Sequence, residues 1–223
     1  MDSLTYRSAS EVNDSMVRVY GQMFLAILNS MIVGYLVSSS PELINMLFGS
    51  TLKWLVMFAP LVAVIAISFV IDRVNKLQAM AMLHGFAALM GVSFSVIFVM
   101  YTSGSIVLSF MGAAVLFAVL SIYGYFTKSN LDSLGQFMFV GLIAIIIAAV
   151  INIFVGSTIL QMVISSIAII VFLGLTAYDT QKIREMVSVE TQGNEEIRGA
   201  LTLYLDFINI FLNLLQLFGI KKD

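Results

Sequence analysis

The sequence GALTLYLDFINIFLNLLQLFG, residues 199–219, is apolar enough to lie in lipid, yet it carries an acid, Asp206, well inside it. A helix needs roughly 20 apolar residues to cross the hydrocarbon core of a bilayer. An ionised aspartate near the centre of such a helix costs about 2.5–3.5 kcal/mol on insertion scales, so its side chain should face other helices and not lipid. We therefore expect a membrane-spanning helix with Asp206 turned toward a bundle.

The composition of the whole chain supports a membrane protein of several spans. Of its 223 residues, 60% are hydrophobic and 11% are charged, and the mean hydropathy is +1.02. Soluble domains average about 25% charged residues. The net charge of −2 gives no basic surface for nucleic acid. The chain has no cysteine, which excludes disulfides, thiolate metal sites and thiol nucleophiles.

Seven stretches qualify as spans, and the predicted fold is an all-α membrane protein with seven transmembrane helices. Residues 1–18 are polar and lack the features of a signal peptide, so we expect a short cytoplasmic tail there. Short connections leave residues 19–223 as a single transmembrane domain. The spans are expected at about residues 20–38, 52–71, 79–101, 106–126, 137–155, 159–178 and 200–219.

The basic residues predict the orientation. With a cytoplasmic N-terminus, eight of the eleven fall inside, and Lys53, Lys221 and Lys222 fall outside. Seven spans then place the C-terminus outside. The alternative is an even number of crossings with a re-entrant last segment. The eight inside positions are Arg7, Arg18, Arg73, Lys76, Lys128, Lys182, Arg184 and Arg198.

Polar residues of the last span recur at alternating intervals of four and three, which places them on one face of a helix. One explanation is a set of hydrogen bonds between helices. The acid within the stripe favours the other explanation, a water-lined or ion-conducting path. The stripe consists of Thr202, Asp206, Asn209, Asn213 and Gln216.

A second carboxylate, Asp179, ends the sixth predicted span. It could be an ordinary interfacial acid beside Lys182 and Arg184. However, spans six and seven are consecutive, and both acids fall in the predicted cytoplasmic half, so Asp179 and Asp206 could meet. Two carboxylates in one low-dielectric site cannot easily both ionise, which makes such a pair sensitive to protons. It would also accept a hard cation that prefers oxygen ligands.

Arg73, at the cytoplasmic end of the second predicted span, is a third candidate. Its simplest role is that of a positive-inside anchor, with Asp72 beside it as a possible partner. Its depth in the membrane would also allow it to reach Asp179. The acidic loop that contains Glu190, Glu195 and Glu196 is expected to be solvated.

These stretches resemble the transmembrane Bax inhibitor motif family, in its bacterial branch. The matching segments are VFLGLTAYDTQKI at residues 171–183, residues 199–219, and SIYGYFTKSNLDSLG at residues 121–135. The resemblance covers the chain beyond residue 18 or so. One departure is Asn130, where relatives tend to carry an aspartate.

The resemblance implies a fold in which six helices surround a central last helix. It implies a pH-sensitive calcium leak channel, with Asp179 and Asp206 as the pH sensor and Arg73 as a residue that exchanges contacts with them. Eukaryotic relatives are linked to suppression of cell death and control of stored calcium. Some bacterial relatives associate with a membrane-bound protease.

Two hypotheses of different class follow. The first is a proton-gated cation leak in a bacterial inner membrane, without a cofactor, in which calcium is the permeant ion and Asp179 and Asp206 are its transient ligands. The second is a regulatory partner of a membrane protease or stress machinery with no transport of its own, in which the polar stripe of the last span is structural. A proton-coupled exchanger is a further alternative. The tripeptide AYD at residues 177–179 is typical of intramembrane aspartyl proteases, but their GxGD motif is absent, so we expect no enzyme.

Overall fold

The computed structural model describes residues 6–189 and 194–222, which form eight α-helices and a short 3-10 helix, Ile71–Arg73. Seven of these helices, all but the second, are long and apolar enough to span a membrane. The predicted all-α membrane fold with seven spans is therefore confirmed. The helices are α1 (Ala9–Ser38), α2 (Pro41–Phe48), α3 (Leu52–Val70), α4 (Lys76–Met100), α5 (Ser103–Phe126), α6 (Asp132–Val155), α7 (Thr158–Val187) and α8 (Glu195–Phe218).

Helix α1 begins well before the predicted first span, because the sequence supplies a complete start signal. The Ser8 hydroxyl accepts the backbone N–H of Glu11, and the Glu11 carboxylate accepts the backbone N–H of Ser8. This capping box satisfies donors that the first turn leaves unpaired. The expected tail boundary at residue 18 consequently lies inside a helix.

Helix α2 was not expected from the sequence. Its start is nevertheless signalled locally, because Ser40 caps the N–H of Leu43 and Pro41 occupies the first helical position. With eight residues, it is too short to cross a bilayer. It lies in the connection between the first two spans.

The described chain divides into two compact units. The first contains the described residues within Met1–Tyr101, Met186–Tyr204 and Lys221–Asp223. Within it, α1 packs closely along α4, since a Cβ atom at Gly91 of α4 would lie 2.6 Å from the carbonyl oxygen of Ser30 in α1. Small residues permit this backbone approach where hydrophobicity cannot drive association.

Within this first unit, residues just before and just after α8 in the sequence contact the two ends of α4. At the start, the Asn194 amide donates to the carbonyls of Ile71 and Val74, at 2.7 and 2.8 Å. Beyond the far end, Lys222 donates through its backbone N–H to Met100 and through Nζ to Phe98, both at 2.8 Å. Helix α4 has 25 residues and is about 37 Å long. The residues that flank α8 thus meet both ends of α4, and whether the last segment crosses the membrane or re-enters it stays a prediction.

The second unit contains Thr102–Glu185 and Leu205–Ile220. Edge-to-face aromatic contacts join α5 to α8, with the Phe110 and Phe207 rings 5.2 Å apart and the Phe117 and Phe207 rings 5.7 Å apart. Such pairs add about 0.5–1.5 kcal/mol beyond the area they bury. They fix the half of α8 that follows Asp206.

Glycines allow α7 to approach α5 and α6 in the second unit. A Cβ atom at Gly124 of α5 would collide with the carbonyl oxygen of Ala177, and one at Gly135 of α6 would lie 2.5 Å from the Tyr178 ring. The turn of α7 that precedes Asp179 is therefore held on two sides.

Helix α8 is the most buried of the seven candidate spans. In its most apolar window 50% of the residues are buried, against 6–33% in the other six. This burial explains why the helix tolerates polar residues that would be costly against lipid. Its enclosure by the six other helices stays a prediction.

Candidate functional site

Asp206 occupies the middle of α8, about 16 Å from the start of the helix at 1.5 Å per residue. Its side chain is only 4% exposed. In the described part of the chain, its Oδ2 atom has no hydrogen-bond donor. An unpaired buried carboxyl oxygen is unusual, because burying a charge without a partner costs several kcal/mol or more.

The neighbour of the Asp206 carboxyl is a second carboxyl group, that of Asp179. It lies on α7, about 12 Å before the helix ends at Val187, and is half-buried. The two carboxyl groups lie within hydrogen-bonding reach of each other, and both acids belong to the second unit. The structure therefore brings together the two acids that the sequence placed on consecutive spans.

The chemistry of the pair follows from its surroundings. Two carboxylates are both acceptors, so they can bond only if one of them carries a proton. The interactions found for either carboxyl are burial and the other carboxyl, and among the described residues no basic side chain contributes. The pair can hold a shared proton, or it can ionise and attract a cation.

The alternative of Asp179 as an interfacial acid beside Lys182 and Arg184 does not fit the observed contacts. Lys182 pairs with Asp132 at 2.7 Å and with Glu185 at 2.9 Å. Arg184 donates to the carbonyl of Tyr125 at 2.9 Å. Both cations are turned away to other partners, which leaves Asp179 to Asp206.

The polar stripe of α8 is present but unevenly buried. The side-chain N–H groups of Asn209 and Asn213 donate to the carbonyls of Leu205 and Asn209 in the same helix, both at 2.8 Å. One N–H of each amide is thus used within α8 and not between helices. Thr202 is half-buried, whereas Gln216 is exposed. The amide oxygens of Asn209 and Asn213 remain as acceptors on the Asp206 face.

The pair alone does not make a tight metal site. Residues 6–189 and 194–222 contain no group of three or more His, Cys, Asp or Glu side chains that could hold a metal. Calcium takes six to eight oxygen ligands, so Asp179 and Asp206 could supply only part of a coordination shell. Water and amide oxygens would have to supply the rest, which suits transient contact.

Arg73 belongs to the first unit, where it ends the short 3-10 helix with an exposed side chain. The partner suggested for it, Asp72, forms an ion pair with Arg198 instead. Within the described ranges Arg73 itself makes no salt bridge. Its contact with the acid pair stays a prediction.

The sequence missed an ion-pair network at the start of α8. Glu196 pairs with Arg18 of α1 at 2.8 Å and with Lys76 of α4 at 3.0 Å, and its side chain is 12% exposed. The expectation of a solvated acidic loop was therefore wrong for Glu196, while Glu190 lies outside the described residues. Nothing in the local pattern reveals this network, because its partners are 178 and 120 residues away.

A buried polar contact was also missed. The Tyr204 hydroxyl, on α8 two residues before Asp206, lies 2.6 Å from the Ser30 hydroxyl of α1, and Ser30 donates to the carbonyl of Ala87 at 2.7 Å. Tyr204 is fully buried. In the sequence, Tyr204 is indistinguishable from the other apolar residues of the span. The available signal was the general rule that a buried tyrosine hydroxyl has a hydrogen-bond partner.

Comparison with known proteins gives the same family as the motifs. The sequence profile of the family described as inhibitor of apoptosis-promoting Bax1 matches residues 12–223. The inner membrane protein YbhL of Escherichia coli (strain K12) is 36% identical over 93% of this chain and 92% of its own length. The uncharacterized protein YrjE of Lactococcus lactis is 37% identical, with 91% and 89% covered. This chain, an integral membrane protein with seven helices long enough to span a bilayer, therefore belongs to the Bax inhibitor family.

Proposed function

We propose that the protein is a passive leak for calcium that is gated by protons at Asp179 and Asp206. The observation that carries the proposal is the isolated position of Asp206, which is 4% exposed and meets another carboxyl with no basic side chain in the described surroundings. A group that costs this much to bury inside a membrane protein is a candidate for ion or proton handling.

The gating step follows from the two charge states of the pair. With one proton, the carboxyls share a hydrogen bond that joins α7 to α8 and keeps the path closed. Without it, two negative charges in a low-dielectric site repel, and a cation must enter to compensate. The leak should therefore be largest at neutral and alkaline pH and fall as the pH drops.

The remaining oxygens of the path come from α8. The amide oxygens of Asn209 and Asn213 follow Asp206 by three and seven residues, which is one and two helical turns. Oxygen donors suit a hard cation such as calcium. Weak sites in series suit conduction, because an ion must leave as readily as it enters.

The orientation is part of the proposal. In the first unit, Arg18 pairs with Glu196 and Arg198 with Asp72 at the start of α8. Arg7 donates to the carbonyl of Val187 at the end of α7, and Lys222 lies at the opposite end of α4. In the second unit, Lys182 and Arg184 contact the region where α5 ends and α6 begins. By the positive-inside rule, the N-terminus and the start of α8 face the cytoplasm. The inner membrane named for the Escherichia coli relative is the proposed location.

Cysteine labelling tests this orientation, because the chain has no cysteine of its own. Ser129→Cys and Ser103→Cys alter exposed positions at the two predicted faces. We expect a membrane-impermeant reagent to label residue 129 only from the cytoplasmic side and residue 103 only from outside. Labelling of both from one side would contradict the proposed topology.

The decisive experiment is calcium flux against pH in vesicles that contain this protein alone. A leak follows the calcium gradient without saturation and declines on acidification. A proton-coupled exchanger would saturate and respond to the proton gradient. An absence of flux from folded protein would overturn the proposal and favour a regulatory role, such as binding a membrane protease.

A further inference from the structure

Helix α2, the short helix between the first two spans, packs on the protein along one face only. Its half-buried residues are Ile44, Leu47 and Phe48, and the helix contacts α1, α3 and α4. Leu43 and Met46 are also apolar, but they are 40% and 51% exposed. These two residues form the exposed apolar arc of α2, a surface that the described part of the chain does not cover.

The polar residues of α2 lie on a separate face. Successive residues are about 100° apart around a helix axis. On this spacing, the circumference carries Asn45 and Glu42 first, the exposed apolar arc next, and the packed residues last. Asn45 and Glu42 are both exposed. A polar face with apolar surface beside it is the pattern of a helix that lies in the plane of a membrane interface.

The chain on either side holds α2 close to the level where the bilayer ends. Residues 39–40 connect it to α1, and residues 49–51 connect it to α3. Three residues reach at most about 11 Å. Leu36 in the last turn of α1 and Leu55 in the first turn of α3 are both exposed. The lipid-facing surface of the two spans therefore continues up to α2 and into its exposed apolar arc.

The start of α3 carries residues that are typical of a membrane–water boundary. The Trp54 ring stacks on the Phe58 ring with centroids 6.2 Å apart, and the Lys53 ammonium lies 5.5 Å from the centre of the Trp54 ring. Tryptophan is enriched at the level of the lipid headgroups. A lysine there can lay its aliphatic stem on apolar surface and keep its charge in the polar region. Lys53 and Trp54 thus mark the boundary directly after α2.

We propose that α2 is an interfacial helix, which docks Leu43 and Met46 into the headgroup–acyl boundary of the lipid leaflet at this face of the membrane. A protein partner fits this surface less well. The helix has eight residues and is about 12 Å long, whereas a stable protein interface buries about 800 Å² on each side. Lipid needs no such area, because it also covers the neighbouring spans. The proposal is independent of the calcium leak.

Docking of α2 would position the start of the next span. Only Val56 and Pro60 of α3 are buried among the described residues. Protein contacts therefore hold this span at few points, and the bilayer, through α2, supplies a further constraint at its beginning.

Single cysteines test the proposal directly, because the chain has none of its own. Met46→Cys and Asn45→Cys alter adjacent exposed positions, one on the apolar arc and one on the polar face. Each variant carries a nitroxide spin label in lipid nanodiscs. Collision with oxygen, which concentrates in lipid, is compared with collision with a water-soluble nickel complex. We expect the label at residue 46 to lie about 5–10 Å into the boundary and the label at residue 45 to lie in water.

Leu43→Cys and Glu42→Cys repeat the comparison with a second matched pair, so that the result does not depend on one substitution. If the nickel complex reaches residues 43 and 46 as readily as residues 42 and 45, α2 stands in water and the proposal is overturned. Protection of residues 43 and 46 from both reagents would mean that protein covers them, a second copy of this chain included, and would overturn it equally.

Trp54 permits a second measurement on the unaltered protein, since it is the only tryptophan in the chain. Its fluorescence should be quenched more strongly by lipids brominated near the headgroup than by lipids brominated near the end of the acyl chain. Equal quenching, or stronger quenching by the deep bromines, would place the start of α3 away from the boundary and contradict the interfacial position of α2.

Discussion

Helix α8 carries two acids ten residues apart, the half-buried Glu196 and the buried Asp206, and their surroundings are opposite. Glu196 lies between two cations, Arg18 and Lys76, within 3.0 Å of each. Asp206 lies beside another acid and has an oxygen with no donor in the described residues. The charge of Glu196 is already compensated by two cations, whereas an ionised Asp206 needs a proton or a cation as a partner. The two acids therefore differ in whether a cation compensates them, and the proposed role of Asp206 rests on this difference.

The sharpest way to break this comparison is Asp206→Asn. An amide does not titrate, so we expect the pH response of calcium flux to collapse from roughly tenfold per pH unit, the limit for one proton, to less than about twofold. The measurement is flux between pH 6 and 8 in vesicles with equal amounts of folded protein. Asp179→Asn should flatten the pH response in the same way. Unchanged pH profiles of flux in both variants would show that the pair is not the pH sensor.

The next prediction concerns the turn that holds Asp179. Gly124→Ala forces a methyl group against the Ala177 carbonyl, and such overpacking should lower the free energy of unfolding by about 1–3 kcal/mol. Gly104→Ala is the control in the same helix, because a Cβ atom there has no neighbour within 4 Å. Thermal unfolding in detergent compares the two. Equal stability would mean that α5 and α7 are not in close contact.

Glu196→Gln should have a smaller and purely structural effect. It removes two ion pairs whose cations are half-exposed, so the loss of stability should be about 1 kcal/mol, and less at high salt. The pH midpoint of flux should not move. A shift of this midpoint in Glu196→Gln would contradict the proposal that Glu196 is structural and that only the Asp179–Asp206 pair senses pH.

The smallest expected effect belongs to Arg73. If Arg73 helps the pair to ionise, Arg73→Ala should move the closing transition toward alkaline pH by less than about one unit. Arg73→Lys keeps the charge but not the planar fork, and should shift the midpoint less. Should Arg73→Ala lower only the yield of inserted protein, the residue is a topological anchor.

Much of the fold was predictable because membrane insertion depends on local composition. The seven spans follow from runs of apolar residues, and Asp206 stood out because an acid in such a run has few acceptable environments. The consecutive order of the last two spans made its meeting with Asp179 a reasonable expectation. Helix α2 escaped prediction because it is short, and the length of α1 escaped it because a polar helix beyond the membrane leaves no apolar signal.

The sequence by itself thus determined the class, the spans and the identity of the acids, since each depends on the cost of placing a residue in lipid. Only the tertiary structure decided which acid is compensated. Arg18, Lys76 and Glu196 come from three helices, and the side-chain oxygen of Gln181 in α7 accepts the backbone N–H of Leu131, 50 residues away. No local pattern encodes such meetings, because they depend on how the helices pack. The same packing turns Lys182 and Arg184 away from Asp179 and leaves it paired with Asp206.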